Sequence, residues 1–256
     1  MKNQLFTRTL ILFAIIVGLS AFIFPSFKGT KDYPTEKFSK VSIALNSKVY
    51  VVQGQEYKLD IQADDATLEK IKVEFEGDEL SIECKHGSKI EQPVLITITA
   101  PSLNAISIAG SADLFIEKSY EAKEMDLSIA GGGSMNLNKL MVEKVSSSVA
   151  GSGKLIMNDL EALKVNCSVA GSGDVSINGQ KAGESEDFSI AGSGNIDASA
   201  FETFESKVEI AGSGDCKVFV SKKLQVSIAG SGAVRYKGNP VIEKEVAGSG
   251  SVKPLE

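Results

Sequence analysis

Tryptophan is absent from the 256 residues, and aromatic side chains of all kinds make up only 7%. A core built from such a chain is filled by aliphatic side chains, which suits thin repeated layers better than one thick interior. Arginine occurs only at Arg8 and Arg235, and the net charge is −6. Counterion release on nucleic acid needs clustered Lys and Arg, and bidentate phosphate clamps need arginine, so no nucleic-acid partner is expected. Histidine occurs once, at His86, between Lys85 and Gly87. A general base requires an orienting partner and a cleft, and a lone turn histidine has neither. Cys84, Cys167 and Cys216 make neither an even disulfide set nor a metal-ligand spacing. Their neighbours are apolar strand residues, so they read as small buried hydrophobes.

What is present begins with an address. Lys2 and Arg8 precede an apolar run from Leu10 to Phe24, broken only by Gly18 and Ser20. Residues 1–28 read as a signal peptide or, if uncleaved, an N-terminal membrane anchor. The expected location is outside the cytoplasm, in the periplasm, outer membrane or cell surface, with membrane contact through this segment alone.

The main signal is repetition. The dipeptide Ala-Gly recurs at Ala109, Ala130, Ala150, Ala170, Ala191, Ala211, Ala229 and Ala247, at steps of 18 to 21 residues, and reads Ala-Gly-Ser-Gly from Ala150 onward. Before each Ala stands a β-branched residue: Ile108, Ile129, Val149, Val169, Ile190, Ile210, Ile228 or Val246. The position before that is Ser in six copies and Glu209 and Glu245 in the other two. After the glycine bend apolar residues return at Leu114, Met135, Leu155, Val175, Ile196, Cys216, Val234 and Val252. This period-2 alternation marks strands with one buried face. A unit of ~20 residues cannot bury that face alone, so the units stack as a parallel β-solenoid, roughly 40 Å long for eight coils at the strand spacing. Coil lengths of 18 to 21 residues without a hexapeptide sub-period fit a right-handed β-helix. The bend serines, Ser152 through Ser249, are expected to stack as an outer or bend-lining ladder, in which hydroxyls could be satisfied between coils. The second bend glycine is Ala112 in the first copy, which points to close approach at that position more than to positive φ.

Residues 36–101 are rich in strand patterns but lack the glycine repeat. Glu76-Gly77-Asp78-Glu79 reads as a hairpin turn between Ile71–Phe75 and Leu80–Cys84. The segment is expected to cap the solenoid of residues 102–256, whose open end would otherwise expose unpaired strand groups. At the other end Lys244 takes a position that is apolar in most coils, and Pro254 replaces an aliphatic. The order Phe38, Val41-Ser-Ile43, Val51-Val-Gln53-Gly54, Leu80-Ser-Ile82 and Ile96-Thr-Ile98-Thr-Ala-Pro101, followed by Ile-Ala-Gly-Ser-Gly coils, resembles the auto-transporter adhesin head domain family (head GIN domain) of Bacteroidetes-type envelope proteins. The resemblance spans Phe38 to Val252. It implies a pectin-lyase-like right-handed β-helix and an adhesion role, and it carries no catalytic residues.

Parallel β-helices also process polysaccharides, and such chemistry would rest on acidic side chains. Asp113, Asp174 and Asp215 follow the bend, with Asn195 between the last two, but Lys154 and Ala233 interrupt the column. Arg235 stands in a different coil from those acids and is expected to lie away from their bends. A hydrolase needs a close carboxylate pair, which only loops bringing Glu184, Glu186 and Asp187 together would supply. A calcium column would not contain Lys154. The sequence therefore reads as an exported, non-catalytic adhesion or binding scaffold without cofactor or metal, its partner an envelope or host-surface glycan or protein. A polysaccharide lyase or hydrolase and a purely structural spacer are the alternatives.

Overall fold

The computed structural model describes residues 29–33 and 35–255, so the expected leader at 1–28 lies outside the described residues. The fold is an all-β solenoid of about eight turns, and the single helix among the described residues is one turn long. In chain order the elements are β1 (Gly29–Tyr33), β2 (Lys40–Ala44), β3 (Lys48–Gln53), β4 (Lys58–Ala63), α1 (Asp65–Leu68), β5 (Ile71–Glu76), β6 (Glu79–Cys84) and β7 (Leu95–Ala100). The repeats follow as β8 (Ala105–Gly110), β9 (Asp113–Glu121), β10 (Glu124–Gly131), β11 (Ser134–Met141), β12 (Lys144–Gly151), β13 (Lys154–Met157), β14 (Leu160–Glu161), β15 (Lys164–Gly171) and β16 (Asp174–Asn178). The chain ends with β17 (Gly183–Gly192), β18 (Asn195–Gly212), β19 (Asp215–Gly230), β20 (Ala233–Lys237), β21 (Val241–Gly248) and β22 (Ser251–Pro254).

The repeat columns of the sequence are the strand registers of the fold. Ile108, Ile129, Val149, Val169, Ile190, Ile210, Ile228 and Val246 pair in parallel, one per coil. The first seven are at most 2% exposed. Leu114, Met135, Leu155, Val175, Ile196, Cys216, Val234 and Val252 stack in the same way beyond the bend. Each coil thus adds one side chain, in most coils an aliphatic one, to every inner column. Larger side chains are buried as well, and Phe201 is accommodated where Gly179 and Gly183 leave it room.

The two bend glycines answer different constraints. The first has φ between +100° and +135° in all eight coils. At Gly171 (φ +118°) an added Cβ would also lie 2.6 Å from the Gly151 carbonyl oxygen. The second glycine has no positive φ but faces inward: at Gly173 a Cβ would lie 2.5 Å from Val149 Cγ1 and 2.9 Å from the Gly153 oxygen. Close approach therefore decides this position, in keeping with Ala112 in the first copy, where the layer beneath is the glycine-free β2–β3 coil. The expected serine hydroxyl ladder is not what joins the bends. Ser152, Ser172, Ser193, Ser213, Ser231 and Ser249 are exposed, and it is their N–H groups that donate to the glycine carbonyl of the preceding coil, at 2.8–3.0 Å. A backbone that turns with its N–H along the axis leaves the short Ser side chain pointing to water.

The N-terminal strands are threaded out of sequence order. β2 and β3 pair in parallel with β8 and β9 on one side and with β6 and β7 on the other. Antiparallel β5–β6, β4–β7 and β1–β4 pairs close that end of the stack. The β5–β6 hairpin turns at Gly77 (φ +63°), and its Asp78 carbonyl accepts the Ser39 and Lys40 N–H groups. The crossover at Pro101–Asn104 is latched from two coils. Gln53 Nε2 donates to the Pro101 and Glu121 carbonyls at 2.9 and 2.8 Å, and the buried Tyr120 hydroxyl accepts the Leu103 N–H at 2.7 Å. One core cluster runs from Phe38 to Val234, without a break at the crossover.

The C-terminal end has no such closure among the described residues. No residue of β21 is buried, Val241 and Val246 being 70% and 41% exposed. Lys244 stands in register with Val226 and Pro254 in register with Tyr236. An inward-pointing charge and a residue lacking an N–H both discourage further strand addition.

Three substitutions separate these forces. Ile190→Asp, which buries an unpaired charge, is expected to cost roughly 3 kcal/mol or more. Gly173→Ala forces backbone or Val149 to shift and should cost about 1–3 kcal/mol. Ser172→Ala, one residue away, should stay within about 0.5 kcal/mol. Thermal and urea unfolding measure all three, and a Ser172→Ala loss equal to that of Gly173→Ala would contradict the backbone account of the bend.

Candidate functional site

Parallel register converts each outward position into a column. On the strand before the bend the outermost column is alanine, Ala109 through Ala247, every one exposed. Beside it runs Ser107, Ser128, Ser148, Ser168, Ser189, Glu209, Ser227 and Glu245, and next to that Asp126, Ser146, Asn166, Asp187, Lys207, Gln225 and Glu243. Small side chains keep this side of the rod flat along its length. Toward the C-terminal coils the columns become long and charged, and two adjoining cavities open there. One of about 420 Å³ is lined by Lys207, Glu209, Gln225, Ser227, Glu243 and Glu245 among others. The other, of about 250 Å³, shares Lys207 and Gln225 and adds Asn166, Asp187, Glu205 and Lys223. The charges are locally paired: Lys207 with Glu209 at 2.7 Å, and Lys223 with Glu243 at 3.1 Å, where Gln225 Nε2 also donates at 2.9 Å. Sequence reasoning did not single out this groove. Its signal was the replacement of Ser by Glu209 and Glu245 in an otherwise uniform column.

The acids weighed from the sequence lie on the other side of the bend and are engaged by their neighbours. Asp113 accepts from the Ser134 hydroxyl at 2.5 Å. Asn195 Nδ2 donates to Asp174 at 2.8 Å, while its oxygen accepts the Asp215 N–H at 3.3 Å. Asp215 accepts the Ala233 N–H at 3.1 Å. Arg235 is not remote from these bends: its Nη1 meets Asp215 Oδ2 at 3.0 Å. Adjacent coils are one strand spacing apart, about 4.8 Å, so a long side chain in the next coil is a near neighbour. One position further along, burial pushes the Asp197 carboxyl up, but Lys217 at 2.9 Å and Ser199 together hold it below its ordinary range.

Glu184, Glu186 and Asp187 do not converge. They lie on β17, where alternation leaves Glu184 and Asp187 exposed and turns Glu186 into the core, 3% exposed. Burial pushes its carboxyl up to about 8; the hydroxyls of Ser206 and Thr203 offset part of that shift without reaching hydrogen-bond geometry. Cys167 and Cys216 are buried, and burial pushes the Cys167 thiol up to about 12. Cys84 is half-buried, and its thiol donates to the Ser88 carbonyl at 3.2 Å. His86 is exposed in a turn with Gly87. Among the described residues no three His, Cys, Asp or Glu side chains are grouped to hold a metal ion, and no helix is long and apolar enough to cross a membrane.

With the coil geometry in place, comparison with known proteins is decisive for the family. Residues 37–240 match the family described as "Putative auto-transporter adhesin, head GIN domain". The chain belongs to this family. A Parabacteroides distasonis protein described as a putative lipid binding protein superposes with TM-score 0.83 at 26% identity, over 89% of this chain and 96% of its own. A putative adhesin of Parabacteroides merdae gives TM-score 0.83 at 22% identity over the same shares. A putative adhesin of Bacteroides fragilis gives 0.66 at 25%, over 88% and 96%. No curated protein matches the chain. For this head GIN domain protein the polar pairs beyond the bend are surface interactions, both side chains of the Arg235–Asp215 pair being about two-fifths exposed. Arg235→Gln and Asp215→Asn should each change the unfolding free energy by less than about 1 kcal/mol. A loss above 2 kcal/mol in urea unfolding would show that the pair holds the last coils together.

Proposed function

We propose that this head GIN domain protein is a non-catalytic adhesion scaffold of the cell envelope, and that it meets its ligand on the flat side before the bend, in the groove of the C-terminal coils. The observation that carries this reading is the outward surface itself. Serine and alanine columns leave the backbone accessible over several coils, and the groove at Lys207, Gln225 and Glu243 concentrates hydrogen-bonding groups of both charges beside it. Such a surface suits many weak polar contacts whose strength grows with the number of coils engaged. A neutral polar polymer or a polar protein surface on the envelope or on a host fits it; nucleic acid does not. Membership in an adhesin family and likeness to a Bacteroides fragilis protein described as a putative adhesin support the same reading.

The test is binding of the full-length protein to glycan arrays, to envelope and host-matrix fractions and to lipid vesicles, alongside assays for lyase, hydrolase and acyltransferase activity. Adhesion without turnover is expected. Ser227→Trp, which fills the groove from an exposed position, should weaken it at least tenfold, while Ser176→Trp beyond the bend should not. Turnover abolished by Asp174→Asn or Asp215→Asn would establish the enzyme instead. Vesicle binding alone would extend the lipid description of the P. distasonis protein to this chain. Neither adhesion nor turnover would leave a spacer.

A further inference from the structure

Glu186 is the one carboxyl buried in the core among the described residues, and it has no structural partner. Its column reads Met125, Val145, Val165, Glu186, Ser206, Leu224 and Ile242. An ionisable group thus replaces an aliphatic one halfway along the rod. Both Glu186 oxygens, Thr203 Oγ1 and Ser206 Oγ are shielded from water without a hydrogen-bond partner, four orphaned atoms from two adjacent strands. Among the described residues no cation is free to pair with it: Lys207 and Lys223, which border the same cavity, are engaged by Glu209 and Glu243. Val165 and Ser206 flank it in the column, and the Cys167 and Cys216 thiols lie near enough to feel its charge. The two thiols are the titratable groups that feel the Glu186 charge, and burial keeps both protonated. On the C-terminal side of this point the stack ends in the unburied β21. A solenoid is held only by neighbour-to-neighbour contacts, so coils beyond a weak layer can open without the rest.

We propose that Glu186, Thr203 and Ser206 form a proton-controlled lock, which holds the coils from β17 onward closed when the carboxyl is protonated and releases them when it ionises. A protonated carboxyl has a proton to donate to either hydroxyl, whereas an ionised one is a buried charge with no counter-ion. The pH window follows from the acid's raised position, about 8 in the folded chain against an ordinary 4.5. Below pH 4.5 both closed and opened states are protonated and the lock is fully in place. Between 4.5 and 8 the opened chain gives up a proton that the closed one retains, so opening gains tenfold per pH unit. Above 8 both states are ionised and the effect levels off.

Hydrogen exchange followed by mass spectrometry on the full-length chain and on Glu186→Gln, from pH 5 to 9, tests this. Comparing the two proteins at the same pH cancels the intrinsic pH dependence of exchange. The wild-type opening constant relative to the variant should rise about tenfold per pH unit in peptides from 183–255, flatten above pH 8, and stay constant in peptides from 105–157. A ratio independent of pH in 183–255 would overturn the proposal. Should the amide variant fail to fold, Glu186→Leu, which copies Leu224 of the same column, is expected to melt above wild type at pH 8 and to lose that advantage at pH 4. A lower melting temperature than wild type at pH 8 would overturn it equally.

Discussion

The parallel backbone ladder between successive coils is the constraint on which the rest of the molecule depends. It must pass through a sharp bend eight times, and at the seven bends after the first an N–H of coil n reaches the glycine carbonyl of coil n − 1. Continuity there demands one residue with positive φ and a second with no side chain toward the core. The strict register that results places like on like. The inner columns become aliphatic rods, and the outer columns become stripes whose chemistry changes only as fast as the sequence changes from coil to coil. Stability, surface and adaptability are in this way separated by parity along each strand.

That separation explains how much was legible in advance. The columns through Ile108 and Leu114 could be read because spacing and alternation are local and repeat eight times. The order of the N-terminal layers could not, because β6 and β7 insert beside β2 and β3 through long-range pairing that no local pattern records. The contact of Arg235 with Asp215 was missed by treating a different coil as a distant one, although the same alignment that defined the columns makes adjacent coils neighbours. The serine ladder was assigned to hydroxyls because side chains repeat visibly and N–H groups do not. Glu186 carried a readable signal: Ile190 and Phe188 point inward, and two residues back along the strand is inward again.

The functional account rests on what the register leaves outside. A rod with filled columns presents surfaces instead of a deep cleft, and the acids beyond the bend are engaged by Ser134, Asn195 and Arg235. On the side before the bend the groups around Lys207 and Gln225 border an open groove beside a flat strip of small residues. This geometry suits contact over several coils, the reading proposed for this member of an adhesin family. The interior departs from uniformity at Glu186, and there the account predicts a response to the pH of the surroundings.

The central claim is the register, and site-directed disulfide formation measures it most directly. Ser148 and Ser168 are exposed, twenty residues apart, and directly paired across β12 and β15. Their Cα atoms are one strand spacing apart, about 4.8 Å, within disulfide range. Ser148 and Ser189 occupy the same column two coils apart, roughly 10 Å, beyond that range. In a Cys84→Ser background, mild oxidation and peptide mapping should find the Ser148→Cys/Ser168→Cys bridge formed to near completion and the Ser148→Cys/Ser189→Cys bridge absent. A bridge in the second pair, or none in the first, would contradict the account.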